Sequence, residues 1–265
     1  MDNRPIGIFD SGLGGLNVLK EIRKVLPNES FIYLGDTKRF PYGQKSKDTI
    51  IEISKQNVEF LISQDVKCIV IACGTATSQA LGELKKIYKI PIYGIIEPTV
   101  INLKKRIKKP TTIGIIATKG TIRSREWAKT IENNIPNATV VSHAAPLLAT
   151  MAEEGWTTNK VAEYTVKEYM SEFKGVDKLI LGCTHYPLFK KLMQKELSSD
   201  VEIVDTGIEM ATFLDKELKS KHLESSTRKG KFKMYLTDIE NAFAKSAANI
   251  LEDDIDVNDI GKFEV

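Results

Sequence analysis

The sequence predicts an α/β protein made of two similar, open, mostly parallel sheets that face each other across a cleft. Three observations carry this. Short apolar runs alternate with stretches of helical periodicity along nearly the whole chain, the pattern of a parallel sheet covered by helices. That pattern restarts: Ile6-Gly7-Ile8-Phe9-Asp10-Ser11-Gly12 is echoed 107 residues later by Ile113-Gly114-Ile115-Ile116-Ala117-Thr118-Lys119. Two cysteines, Cys73 and Cys183, each close an apolar run and lie 110 residues apart. Two nearly equal offsets read as an internal duplication in which Ser11 matches Thr118 and Cys73 matches Cys183. The domains then span 1–98 plus 209–265 and 99–208, with the C-terminal piece returning to the first domain because the second unit is complete without it.

Residues 5–9 read as a short buried strand. The glycine-rich turn Asp10-Ser11-Gly12-Leu13-Gly14-Gly15 follows, then a helix with Leu16, Leu19, Ile22 and Leu26 at helical spacing until Pro27. The turn is neither a GxGxxG fingerprint nor a P-loop, since no Gly-Lys-Ser/Thr follows, and its amides suit a carboxylate. A second strand covers 31–34 and ends in Gly35-Asp36-Thr37. Phe40-Pro41-Tyr42-Gly43 is a rigid turn before a helix over 47–64. The third strand ends at Cys73, with a helix over 76–88. A strand over 90–95 comes next, and Glu97-Pro98 breaks the pattern before a helix over 100–107. In the second unit, strands are expected at 112–116, 138–142, 178–182 and 201–204. Helices follow the turn at 117–121 and cover 159–173, 187–197 and 208–218. Pro146, Leu147 and Leu148 lead into Met151-Ala152-Glu153-Glu154-Gly155-Trp156 ahead of the 159–173 helix. Residues 219–229 read as a polar surface loop, 231–236 as an edge strand, 239–250 as a helix, and the tail from Asp254 as a last strand.

Composition narrows the function. The chain has 265 residues, 42% apolar and 28% charged, the balance of a soluble globular protein. A net charge of +3 from 38 basic and 35 acidic residues lacks the asymmetry of a nucleic-acid binder. The basic run 104–109 reads as a solvated helix end, with a nucleic-acid contact as the alternative. No run of apolar residues is long enough to span a membrane, and the polar start is no signal peptide. Three cysteines make no disulfide framework, which points to a reducing, cytoplasmic setting. No close ligand pair of the CxxC kind is present, so no metal site is expected.

The chemistry concentrates at the strand ends, where open α/β sheets bind ligands. A free thiol has a pKa of about 8.5, and a nearby imidazolium or helix N-terminus raises its thiolate fraction. Cys183 has His185 two residues on and a helix start at Pro187. Cys73 precedes a helix, and Asp10 ends the first strand within reach of it. Two thiols on opposite sides of a cleft can remove a proton from one face of a carbon and return one to the other, with neither metal nor cofactor. A cysteine at a strand end, taken alone, is more often the small buried residue a core would use. Cys68, at the other end of its strand, reads as core, and His143 and His222 as structural.

Five segments together resemble the glutamate racemases, members of the cofactor-independent aspartate/glutamate racemase superfamily. They are Phe9-Asp10-Ser11-Gly12-Leu13-Gly14-Gly15, Gly35-Asp36-Thr37 with Pro41-Tyr42-Gly43, Ala72-Cys73-Gly74-Thr75-Ala76, Ala117-Thr118-Lys119-Gly120-Thr121, and Leu181-Gly182-Cys183-Thr184-His185-Tyr186-Pro187. They run in family order over nearly the full chain. The resemblance implies cofactor-free interconversion of L- and D-glutamate in a cleft between two α/β domains, with D-glutamate supplied to peptidoglycan, and a homodimer. It implies that Cys73 deprotonates D-glutamate and Cys183 L-glutamate, assisted by Asp10 and His185 respectively. It implies that Ser11, Tyr42, Gly43, Gly74, Thr75, Thr118 and Thr184 hold the substrate, with Asp36 and Glu153 as supporting acidic positions. Gly74 departs from the pattern, because many members carry asparagine there. The alternatives are a racemase of aspartate or another amino acid, and a non-catalytic amino-acid-binding protein of the same fold.

Overall fold

The computed structural model describes residues 1–239, 241–253 and 260–265. Its strands, in chain order, are β1 (Ile6–Asp10), β2 (Phe31–Gly35), β3 (Cys68–Ile71), β4 (Ile92–Gly94), β5 (Thr111–Ala117), β6 (Ala138–Ala144), β7 (Lys178–Leu181), β8 (Glu202–Asp205), β9 (Phe232–Leu236) and β10 (Ile260–Lys262). They form two sheets, ordered β10-β9-β2-β1-β3-β4 and β6-β5-β7-β8. Every strand pairing among the described residues is parallel. The order β2-β1-β3-β4 of the first sheet is repeated by β6-β5-β7-β8 in the second, so topology follows the repeat seen in the residue offsets.

The helices are α1 (Leu16–Val25), α2 (Lys47–Ser63), α3 (Gly74–Ile87), α4 (Ile96–Arg106), α5 (Lys119–Ser124), α6 (Glu126–Asn134), α7 (Pro146–Glu153), α8 (Lys160–Met170), α9 (Lys190–Glu196), α10 (Thr206–Ser220) and α11 (Asn241–Leu251). They cover both faces of the first sheet, which is why its central strands are continuous apolar runs. Ile6, Ile8, Cys68 and Val70 pack with Leu16 and Ile22 of α1 and Met210 and Leu214 of α10. The alternate residues Phe9, Ile69 and Ile71 pack with Ile50 and Leu61 of α2 and Ala80 and Leu84 of α3. The second sheet is likewise covered on two faces, by clusters built around Leu179, Leu181 and Phe189 and around Ile113, Ile115 and Trp127. Among the described residues no helix is long and apolar enough to cross a membrane.

Several expectations are corrected. The segment 231–236 is not an edge strand: β9 pairs with β2 on one side and β10 on the other. Its alternation instead reflects a strand with Met234 and Leu236 buried and Lys233 exposed. The helix after Cys73 begins at Gly74, not Ala76, and Cys73 is its N-cap. Pro98 does not break the pattern; it lies in the first turn of α4, where a missing N–H costs nothing. Pro146 to Glu153 is a helix, with proline at its start. The expected helix 187–197 divides into a 3₁₀ turn, Tyr186–Phe189, and α9. The tail contributes β10, while residues 254–259 and Glu240, within the expected last strand and helix, lie outside the described residues.

Candidate active site

In each sheet the strand order reverses beside the central strand, between β1 and β3 and between β5 and β7. Ligands of open α/β sheets bind at the carboxyl ends of such strands. Here the two reversal points face each other, and the expected residues sit on them. Asp10 ends β1 with Ser11 after it. Cys73 follows β3 and caps α3. Thr118 follows β5 and caps α5, its hydroxyl accepting from the Thr121 N–H at 3.4 Å. Cys183 lies two residues beyond β7.

These ends enclose a cavity of about 20 Å³, room for about one water. Ser11, Tyr42, Gly43, Cys73, Gly74, Thr75, Thr118, Cys183, Thr184 and His185 all line it. Asp10, Asp36 and Glu153 lie outside this lining and bear on it through others. Hydroxyls tie the halves together: Thr75 Oγ1 lies 2.9 Å from Thr118 Oγ1 and 3.3 Å from Thr121 Oγ1. The Thr184 hydroxyl donates to Asp10 Oδ1 at 3.3 Å, and Asn17 Nδ2 donates to the Thr184 carbonyl at 3.0 Å.

The electrostatics differ on the two sides. Burial pushes the Cys73 thiol far above its ordinary value, and the neighbouring Asp10 carboxylate adds to this. The Ala76 N–H and the Ser11 hydroxyl beside the sulfur oppose it only in part. Asp10 is fully enclosed, and burial raises its own pKa against the opposing pull of His185 and the Gly15 and Gly12 N–H groups. Those N–H groups donate to Asp10 Oδ2 at 3.0 and 3.2 Å.

On the other side, His185 Nδ1 lies 3.7 Å from Cys183 Sγ, and its Nε2 lies 2.5 Å from Glu153 Oε1. Burial alone would drive this imidazole neutral. The bonds to Cys183 and Glu153 outweigh burial, and the His185 pKa ends well above the ordinary histidine value. Phe40 packs against the imidazole at 5.6 Å between ring centres. One thiol is thus held protonated by burial, while the other has a cation beside it.

Asp36 stands behind Tyr42. It accepts from the Tyr42 hydroxyl, from Thr237 Oγ1 at 2.9 Å and from Arg39 Nε at 2.7 Å. Asn57 Nδ2 donates to the same phenol at 3.0 Å. Burial and Asp36 hold that phenol protonated, well above its usual pKa. Its hydroxyl is therefore committed to protein partners, and the Tyr42–Gly43 contribution to the cavity falls to the rest of the turn.

A model of the Asp/Glu/Hydantoin racemase family matches residues 14–214. The chain belongs to this family. A glutamate racemase from Geobacter metallireducens is 42% identical over 245 residues, 91% of this chain and 90% of that protein. The structure of a Francisella tularensis glutamate racemase in complex with D-glutamate superposes with a TM-score of 0.91 at 38% identity, covering 99% of this chain and 98% of that one. A Bacillus anthracis glutamate racemase isoform gives a TM-score of 0.94 at 33% identity, covering 100% and 99%. The resemblance carried by the five sequence segments is thus shown across the whole racemase chain.

Sequence reasoning missed several contributors. Phe40 and Ala149 line the cavity, Asn17 and Asn57 bond to the lining residues Thr184 and Tyr42, and Arg39 and Thr237 hold Asp36 behind Tyr42. Asn57 carried a usable signal: it is a polar residue on the apolar face of α2, between Ile53, Val58 and Leu61. A polar residue there needs buried partners. Thr237 carried none, since it reaches Asp36 from 201 positions away.

Proposed function

We propose that this protein interconverts L- and D-glutamate without a cofactor, with Cys73 and Cys183 working on opposite faces of the α-carbon. The observation that supports this most is the pairing of two thiols from two facing sheets around one enclosed, hydroxyl-rich cavity. The relatives described above are glutamate racemases, which favours glutamate over aspartate.

In each turnover one sulfur starts as thiolate and the other as thiol. The thiolate takes the α-proton from its face, and the opposite thiol gives its proton to the other face. The first cysteine ends as thiol and the second as thiolate, so atoms and charge balance. Cys183 takes the proton of L-glutamate, helped by His185, which Glu153 keeps charged. Cys73 takes that of D-glutamate, helped by Asp10. The free N–H groups at the start of α3, at Gly74 and Thr75, and the hydroxyls of Ser11, Thr75, Thr118 and Thr184 receive the carboxylates and the charge developing beside them. Tyr42 and Gly43 complete that shell, with Asp36 supporting Tyr42. The domain limits are 1–98 plus 209–265 and 99–208, a division supported by the packing of α10 on α1 and the pairing of β9 with β2. The enzyme acts in the cytoplasm as a homodimer and supplies D-glutamate for peptidoglycan.

The test is proton NMR of the protein with D-glutamate in D₂O. Loss of the α-proton signal with growth of L-glutamate is the expected result. Exchange with D-aspartate only would move the assignment to an aspartate racemase, and silence on both would leave a binding protein.

A further inference from the structure

Against the outside of the cavity wall lies a groove of about 610 Å³. Small-molecule sites run to roughly 300–1,000 Å³. Residues of α2 and α3, which pack on the first sheet, form one side, and residues of α5 and α6 the other. The groove carries four cations, Lys45, Lys47, Arg123 and Lys129, against a single carboxylate, Glu126. Nearby cations have partners: Lys55 pairs with Glu52, Lys85 with Glu97 and Arg125 with Glu132, whereas among the described residues none of the groove's four pairs with a carboxylate. Gln79 lines the groove as well. It is 8% exposed, and its buried Oε1 accepts from nothing. A buried carbonyl oxygen calls for a donor. The wall between groove and cavity is thin. Gly43 lines the cavity and Gly120 the groove. A Cβ on Gly120 would stand 3.0 Å from the Gly43 carbonyl oxygen and 2.6 Å from Gln79 Nε2. The cavity has room for about one water, so glutamate reaches the thiols only when part of this enclosure moves.

We propose that this groove is a second binding site for an anionic amino acid, the station from which the substrate passes the Gly43–Gly120 wall into the cavity. The inference rests on the glutamate reading above. The ligand class follows from the two unmet demands of the groove. Four free cations call for carboxylates, and the Gln79 carbonyl calls for a hydrogen-bond donor. A dicarboxylate with an ammonium group answers both, whereas phosphate or a plain dicarboxylate answers only the first. A station on the route changes how fast the cavity fills and empties, and leaves the cavity affinity as it was. Clefts lined by one sign of charge raise the arrival rate of an oppositely charged ligand by about 10–10³-fold.

The test is an NMR titration of the ¹⁵N-labelled protein with glutamate at racemic equilibrium, following two sets of backbone amides. Ser78 and Ser124 report the groove, and Gly74 and Cys183 the cavity. The two sets should saturate at separate glutamate concentrations. In the groove, glutarate, which lacks the ammonium, should bind about tenfold more weakly than glutamate, the worth of one hydrogen bond to a charged group. A variant with Lys45, Lys47, Arg123 and Lys129 all changed to Gln should bind glutamate in the groove at least about tenfold more weakly. In the same variant the line shapes of the cavity amides should give an association rate lower by at least about tenfold, with cavity affinity within about threefold of wild type. A control carrying the same change at the exposed Lys104, Lys105, Lys108 and Lys109 should match wild type. Four results would overturn the inference: groove amides that do not respond, groove binding of inorganic phosphate or glutarate as tight as that of glutamate, a cavity association rate unchanged in the groove variant, or a control that behaves as the groove variant does. Cavity amides that ignore glutamate in the wild type sink the functional reading instead, and the groove titration still decides whether an anionic amino acid binds there.

Discussion

Glu153→Gln should move the alkaline side of the activity profile to lower pH. His185 is nearly fully enclosed yet held in its charged form, and Glu153 is one of the two groups that hold it. The Glu153 side chain is 23% exposed against 4% for His185, and the bond between them is 2.5 Å. Glutamine keeps the shape and removes the charge. A hydrogen bond to a charged group contributes about 1.5–3 kcal/mol, and partial exposure of Glu153 favours the lower end. That is about a tenfold fall in the ratio of imidazolium to imidazole at fixed pH. The sign follows from the raised folded-state pKa of His185. The stability contributed by its charged form is complete below the ordinary histidine value of about 6.5 and is lost as pH rises through the raised folded value. In the variant that loss begins at lower pH. Melting temperature against pH should show an earlier alkaline decline, and kcat against pH should show its alkaline limb displaced the same way. The two enantiomers have equal free energy, so kcat/KM must change equally in both directions while the two kcat values can diverge. Identical pH profiles for variant and wild type would refute the assignment of Glu153 as the partner that charges His185.

Other perturbations follow from the same contacts. Cys73→Ser and Cys183→Ser should each lower racemisation by at least about 10²–10⁴-fold, measured by polarimetry in both directions, because in the proposed mechanism each direction uses both sulfurs. Asn57→Ala should destabilise by about 1–3 kcal/mol in urea unfolding, since it strips a partner from the buried Tyr42 hydroxyl and from Arg39. Lys67→Ala should cost about 3–5 kcal/mol without a change in KM. Lys67 is buried against Glu29 at 2.5 Å and donates to the Asp2 and Leu223 carbonyls, and none of these residues lines the cavity. Lys67→Met with Glu29→Leu should recover most of that loss, as apolar replacement of a whole buried pair does.

The strands and their parallel arrangement were legible because both faces of each sheet are covered, which writes continuous apolar runs into the sequence. The paired site was legible because strand ends carry it and the chain nearly repeats itself. Boundaries were less so. Pro98 reads as a breaker unless the helix is known to start at Ile96, and only then is its missing N–H harmless. The helix α7 hides behind Pro146, although proline at a first helical position is itself a start signal. Long-range polar bonds left no trace: nothing local to Asp10 says that Thr184 will donate to it. Nor does anything near Asp36 show that it serves the Tyr42 phenol and not the cavity.

The strand order also dictates a sequence of events during synthesis. The β6-β5-β7-β8 sheet is contiguous, and its last strand is complete once Asp205 has left the ribosome. The sheet that starts first finishes last, because β2 must wait about 200 residues for β9, with Phe31 pairing to Phe232, and β10 closes it near the C-terminus. Domains generally fold as units while the chain emerges. Here the later unit can be finished while the earlier one still shows the unpaired edge of β2, so a nascent chain halted before residue 232 carries one complete sheet and one open to mispairing.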